Sequence, residues 1–193
     1  MNFIKKTICI AAIAASVGAQ ASAPASISEV ESNDTIATAQ DLGSLVSGSE
    51  VNVIGLRFDF APFLNSSVDY YKFSTASTLN FTFSVATRLG PTGGNDPMVG
   101  LFNSTGYLID MNDDISDSNY DSLLTRSISA GTYYVAVTGY NQYLDNDFSG
   151  NGDKNWSYVL TISAAPVPEP ESYAMLLAGL GIIGAVARRR KAG

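Results

Sequence analysis

Apolar and polar residues alternate in short runs through the middle of this chain. Leu79, Phe81, Phe83 and Val85 alternate with Asn80, Thr82 and Ser84. That period of two puts one face of a strand in a core and the other in solvent. Tyr133, Val135 and Val137 alternate with Tyr134, Ala136 and Thr138, and Tyr158, Leu160 and Ile162 share one face of 157–163. Shorter strands are predicted at 51–58, 69–74, 98–102, 107–111 and 123–128. Turn chemistry separates them: Asn103-Ser104-Thr105-Gly106 reads as a hairpin turn, and Ala130-Gly131 turns into the strand at Thr132. Residues 90–94 form a loop without the lysine or helix that a phosphate cradle needs. Between the chain ends no helical period is sustained. About eight short strands at regular spacing predict an all-β fold, an antiparallel β-sandwich of jelly-roll-like type.

The two ends break this pattern. Residues 7–17 are an apolar run behind Lys5 and Lys6, followed by small residues, the plan of a secretory signal peptide. Cleavage can follow Ala19-Gln20-Ala21, Ala21-Ser22-Ala23 or Ala23-Pro24-Ala25, the second disfavoured by Pro24 just after the cut. The single cysteine, Cys9, lies inside the apolar run, so the mature protein has no thiol and no disulfide. At the other end, Val167-Pro168-Glu169-Pro170 precedes an uncharged run, 173–187, and then Arg188-Arg189-Arg190-Lys191. The prolines fix φ and hold the motif extended. As a helix the run covers about 22 Å, short of a bilayer core of about 30 Å, and snorkelling arginines make up part of the difference. The basic cluster would stay cytoplasmic. The expected organisation is a signal peptide over 1–25, a sandwich over 26–165 and a tail over 166–193 that includes a short transmembrane helix.

The motif Val167, Pro168, Glu169 and Pro170, the apolar run and the cluster Arg188, Arg189 and Arg190, in that order, resemble the PEP-CTERM sorting signal of Gram-negative bacteria. The resemblance implies a precursor handled by signal peptidase and held transiently in the inner membrane. Cleavage near Pro-Glu-Pro by an exosortase, a membrane cysteine protease, would follow. It further implies delivery to the cell surface or to a matrix rich in exopolysaccharide.

Charge and composition narrow the chemistry. The chain carries 18 acidic and 11 basic residues, a net charge of −7. Without the six cations of the two end segments and the glutamates at 169 and 171, the remainder stands near −11. Such a surface argues against a nucleic-acid partner and favours cations. No histidine occurs in the sequence, which excludes histidine-dependent hydrolysis and histidine-ligated zinc and leaves carboxylate chemistry and oxygen-ligand metals.

Glu29, Glu31, Asn33 and Asp34 offer four oxygen donors within six residues. Calcium takes six to eight such oxygens, and the first three donors point the same way on an extended segment. The same residues can instead cap a turn, with the glutamates solvated. Asp145, Asp147, Ser149 and Asp153, with Gly150 between them, imitate a calcium loop, but Trp156 stands where the closing glutamate belongs; an acidic hairpin is the alternative. Asp110, Asn112, Asp113, Asp114, Asp117 and Asp121 crowd carboxylates that could share a proton or bind a cation, with strand-end turns as the structural alternative. Tyr140, Tyr143, Trp156 and Tyr158 offer a candidate platform for a sugar or peptide, or else core aromatics.

One ordered set of landmarks runs along the chain. It comprises Glu29-Val-Glu31-Ser-Asn33-Asp34, Asp69-Tyr70-Tyr71-Lys72-Phe73, Asp96-Pro97, Asn112-Asp113-Asp114, the strand from Gly131 to Val137 and the strand from Tyr158 to Ile162. The set resembles the bacterial pre-peptidase C-terminal domain, related to collagen-binding modules. The resemblance implies a β-sandwich and a Ca²⁺ site at the Glu-x-Glu-x-Asn-Asp segment, completed by Asp69. A further acidic ligand expected three residues earlier falls on Ser66, a departure from the family pattern. The expected function is that of a non-enzymatic, calcium-stabilised binding or structural module associated with exopolysaccharide or a matrix protein. A carboxylate-dependent polysaccharide-active enzyme and a secretion or folding aid are the alternatives.

Overall fold

A computed structural model describes residues 24–60, 63–64, 68–87, 95–141, 148, 150, 152, 154–168 and 170–191. Along them run β1 (Ala25–Ser28), β2 (Gln40–Ser44), β3 (Glu50–Arg57), β4 (Asp59–Phe60), β5 (Phe63–Leu64), β6 (Asp69–Thr75) and β7 (Leu79–Thr87). Then follow β8 (Pro97–Asn103), β9 (Leu108–Asn112), β10 (Ser122–Ile128), β11 (Gly131–Gly139), β12 (Trp156–Pro166) and α1 (Pro170–Lys191). Each of the eight sequence-predicted strands forms. They pair first with last, all antiparallel: β3 with β12, β6 with β11, β7 with β10 and β8 with β9. This nesting folds one long hairpin on itself and rolls it into two sheets, ordered β1-β3-β12-β7-β10 and β2-β6-β11-β8-β9, the wiring of a jelly roll.

The alternation becomes the core. β7 buries Leu79, Phe81, Phe83 and Val85 while the residues between them stay partly exposed. Phe73 of the facing sheet lies 5.2 Å from Phe81 and 5.8 Å from Phe83, ring centre to ring centre. Val53, Leu101, Val135, Leu160 and Ile162 are fully buried between the sheets, and each such side chain contributes about 1.5–3 kcal/mol relative to an exposed one. β8 is buried along both faces. A second cluster of Val68, Phe102 and Ala136 lies there, flanked by Tyr70, Leu108, Tyr134 and Phe148. Phe148 meets Phe102 edge-on at 5.3 Å and occupies the space that a Cβ on Gly100 would need. This double burial explains why 98–102 is apolar without alternating.

The sandwich is not wholly antiparallel, which corrects the sequence expectation. β1 pairs parallel with β3, and β2 parallel with β6. Neither edge strand has an alternating pattern, because each commits one apolar side chain, Ile27 or Leu42, to the core. The ribbon of β4 and β5 was also not anticipated. α1 forms over the C-terminal run, yet among the described residues no helix is long and apolar enough to cross a membrane. Residues 1–23 of the expected signal peptide and residues 90–94, expected as a loop, lie outside the described residues.

Candidate metal centre

The acid-rich segment after β1 crosses from one sheet to the other. The β1–β3 ladder extends by one bond, from Glu29 N–H to the Ile54 carbonyl at 2.9 Å. The chain then reaches the second sheet, where the Asn33 carbonyl accepts from Tyr70 N–H at 2.9 Å. Gln40, the first residue of β2, clamps the crossing: its Oε1 accepts from Val30 N–H at 2.9 Å and its Nε2 donates to the Ser28 carbonyl at 3.1 Å. Glu29 and Asp69 are thereby brought to the seam between the sheets.

Donors from three strands hold the Glu29 carboxylate. Oε2 accepts from Leu56 N–H of β3 at 2.9 Å. Oε1 lies 2.9 Å from the Tyr71 hydroxyl of β6, 3.2 Å from the Tyr158 hydroxyl of β12 and 3.3 Å from Asn33 Nδ2. The two tyrosine hydroxyls are 2.7 Å apart, and that of Tyr158 is 2.6 Å from Asp69 Oδ2. The chain Asp69–Tyr158–Tyr71–Glu29 therefore has three short contacts. With Asp69 protonated, three protons serve three contacts; with Asp69 ionised, two protons must serve three. Burial pushes the Asp69 carboxyl well above the usual range, and the Glu29 charge adds to the rise, against opposing pulls from the Tyr158 hydrogen bond and Arg57. Burial, and then the neighbouring carboxylates, also raise both tyrosines, so each remains a donor.

Carboxylate oxygens of Glu29, Glu31 and Asp69 lie within 4.8 Å of one another. Glu31 Oε2 also accepts from Asn33 N–H at 3.2 Å. Two buried acceptors here have no hydrogen-bond donor, Asp69 Oδ1 and Asn33 Oδ1, and both residues are fully buried. An unsatisfied buried oxygen costs about 1–3 kcal/mol. Three carboxylates and an amide oxygen, with no nitrogen or sulfur donor, fit a hard oxygen-seeking cation. Such an ion would offset the crowded negative charge of Glu29, Glu31 and Asp69.

Asp34 is half-buried and falls outside the cluster of Glu29, Glu31 and Asp69. Asp145, Asp147, Ser149 and Asp153 lie outside the described residues, as does Tyr143. The aromatic platform is corrected: Trp156 and Tyr158 are 3% and 1% exposed. They open the central strand β12 with their rings in the core, and Tyr140 is half-buried. Tyr158 serves the carboxylate site instead. Gly55, its partner across β3, makes room for it, since a Cβ there would come within 2.2 Å of the Tyr158 ring. Asn112 and the aspartates of 110–121 tie turns and edges: Asp121 accepts from Thr87 N–H at 3.0 Å, Asn112 Oδ1 accepts from Leu123 N–H at 2.9 Å, and Asp110 pairs with Arg126 at 3.0 Å.

Three residues were not foreseen in the role the site gives them. Tyr71 and Tyr158 stand at core-facing positions of alternating strands, where a hydroxyl tip is the only hint of a polar task. Arg57 is fully buried, with its guanidinium 5.3 Å over the Trp156 ring and Nη1 donating to Thr138 Oγ1 at 3.2 Å. Its signal was a cation at a core position of the 51–58 pattern.

Within the sorting segment, Val167 and Pro168 are exposed and Pro170 opens α1, where proline's missing N–H costs nothing. Glu169 lies outside the described residues. Arg188, Arg189 and Arg190 fall in the last turn of the helix. Residues 166–191 match the PEP-CTERM protein-sorting motif. No curated protein matches the chain. Similar solved structures include the pre-peptidase C-terminal domain of collagenase from Bacillus anthracis, at 18% identity and a TM-score of 0.44, covering 65% of this chain and 94% of that one. Another is a β-glucosidase from Paenibacillus barengoltzii, at 10% identity and a TM-score of 0.33, covering 72% of this chain and 13% of that one.

Proposed function

We infer, from a chain that carries the PEP-CTERM sorting motif, that this protein is an exported, exosortase-processed β-sandwich working at the cell surface or in the extracellular matrix. The single observation behind this is the placement of the motif directly after β12, so that cleavage would release an intact sandwich. Before cleavage, α1 and its basic end hold the precursor at the inner membrane. After it, the sandwich acts as a non-enzymatic binding or structural module associated with exopolysaccharide.

Ca²⁺ would stabilise the module through Glu29, Glu31, Asn33 and Asp69, joining the segment between β1 and β2 to the first residue of β6. The two orphan oxygens support this reading. In the test, the purified protein is melted with Ca²⁺ and with a chelator. Ca²⁺ should raise the melting temperature, and Asp69→Asn should remove the response. A wild-type melting curve indifferent to Ca²⁺ would end the calcium reading. Retention of the processed protein on its host's exopolysaccharide tests the binding role, and consumption of that polymer would point to an enzyme instead.

A further inference from the structure

The strand registers sort the chain reversals into two ends of the sandwich. At one end, the base, Leu79 stands opposite both Pro166 and Ile128, Thr75 opposite Gly131 and Asn103 opposite Tyr133. The reversals there are 45–49, 76–78, 104–107 and 129–130. They read Leu-Val-Ser-Gly-Ser, Ala-Ser-Thr, Ser-Thr-Gly-Tyr and Ser-Ala, without a charge. Among the described residues of these reversals and the strand ends beside them, Glu50 is the one charged side chain. Val46 and Tyr107 project from the base, 59% and 74% exposed. The opposite end carries Asp69, Asp96, Asp113, Asp114, Asp117 and Asp121.

Both ends of the described domain leave from the base. Ala25 stands opposite Val51 at the foot of β3, and Pro166 stands opposite Leu79. The two segments that direct the chain to a membrane therefore join the sandwich on the same side. Between β12 and α1 lie residues 167–169, a link that reaches at most about 10 Å when fully extended. A helix seated in lipid would keep the base within about one Debye length of the headgroups, where an anionic surface repels carboxylates. Exposed tyrosine favours that interface.

We propose that the base is a lipid-facing surface: while α1 holds the precursor, the four uncharged reversals rest on the phospholipid headgroups and the acidic end faces away. The proposal rests on the tethered-precursor reading above. It also places the motif from Val167 to Pro170 at headgroup level, within reach of a membrane protease.

The test uses the full chain with Cys9→Ser and one new cysteine at Ser47, Ser104 or Ser118. All three positions are exposed, the first two on the base and the third at the acidic end. Each variant is labelled with a fluorophore and mixed with vesicles of phosphatidylcholine and phosphatidylglycerol carrying a headgroup quencher. Flotation reports whether the chain is held, and quenching reports which end is near. Flotation with several-fold stronger quenching at Ser47→Cys and Ser104→Cys than at Ser118→Cys supports the proposal. Flotation with equal quenching at all three overturns it and leaves the tether standing. Failure to float overturns the tether and the proposal together. Adding Ser77→Glu and Ser129→Glu should weaken base quenching on these vesicles and leave it unchanged on phosphatidylcholine alone; equal quenching on both would contradict the charge argument.

Discussion

Asp69 is a carboxylate whose charge the fold resists. It is fully buried, faces Glu29 through two tyrosine hydroxyls and keeps one oxygen without a donor. Its folded-state pKa is raised, chiefly by burial. The protonated form therefore adds stability below the unfolded carboxylate value of about 3.9, and that stability is lost as pH rises through the folded value. With chelator present, the melting temperature should fall as pH climbs across that window. Asp69→Asn should flatten the fall, and saturating Ca²⁺ should do the same in the wild type. A pH series of thermal melts measures all three. The sequence displayed Glu29, Glu31 and Asn33 together because alternation on an extended segment is a local property. It did not display Tyr71, Tyr158 or Arg57, because a polar tip on a core-phase residue reads as packing until the opposite sheet is in place.

β12 binds the first sheet together. It lies between β3 and β7 and pairs along its length with both. Leu160, at its middle, is fully buried between the sheets. Leu160→Ala should cost about 2–5 kcal/mol, by lost burial and the cavity left behind. Denaturant unfolding checks this as a lower midpoint with an unchanged slope. β3, β6, β7 and β12 were legible because each buries one face and leaves the other more exposed, which imposes a period of two on the sequence. β1 and β2 were not, because an edge strand with one buried side chain imposes no period. Their parallel pairing is a tertiary outcome: the 29–39 segment has to pass from one sheet to the other, and it lays a strand on each before and after the crossing. The short apolar run of β8 was legible as a strand, but its burial on both faces came from Phe148, which is distant in sequence.

At the scale of the whole molecule, the sorting segment begins where the sandwich ends. The last ladder pair of β12 is Pro166 with Leu79, and the motif match starts at residue 166. A chain ending at Pro168 should therefore melt at the same temperature as one that retains α1. A chain ending at Thr161 gives up the buried Ile162 and Ala164 and should melt well below it. Calorimetry on the pair decides the matter. The sequence by itself determined the all-β character, the eight short strands, the sorting motif and the acidic, histidine-free chemistry, since periodicity, composition and contiguous motifs are properties of neighbours along the chain. Only the tertiary structure decided that Tyr71 and Tyr158 link Asp69 to Glu29, and that both chain ends leave from one base whose reversals carry no charge. Those facts depend on which strands become neighbours, and jelly-roll pairing joins residues more than a hundred positions apart.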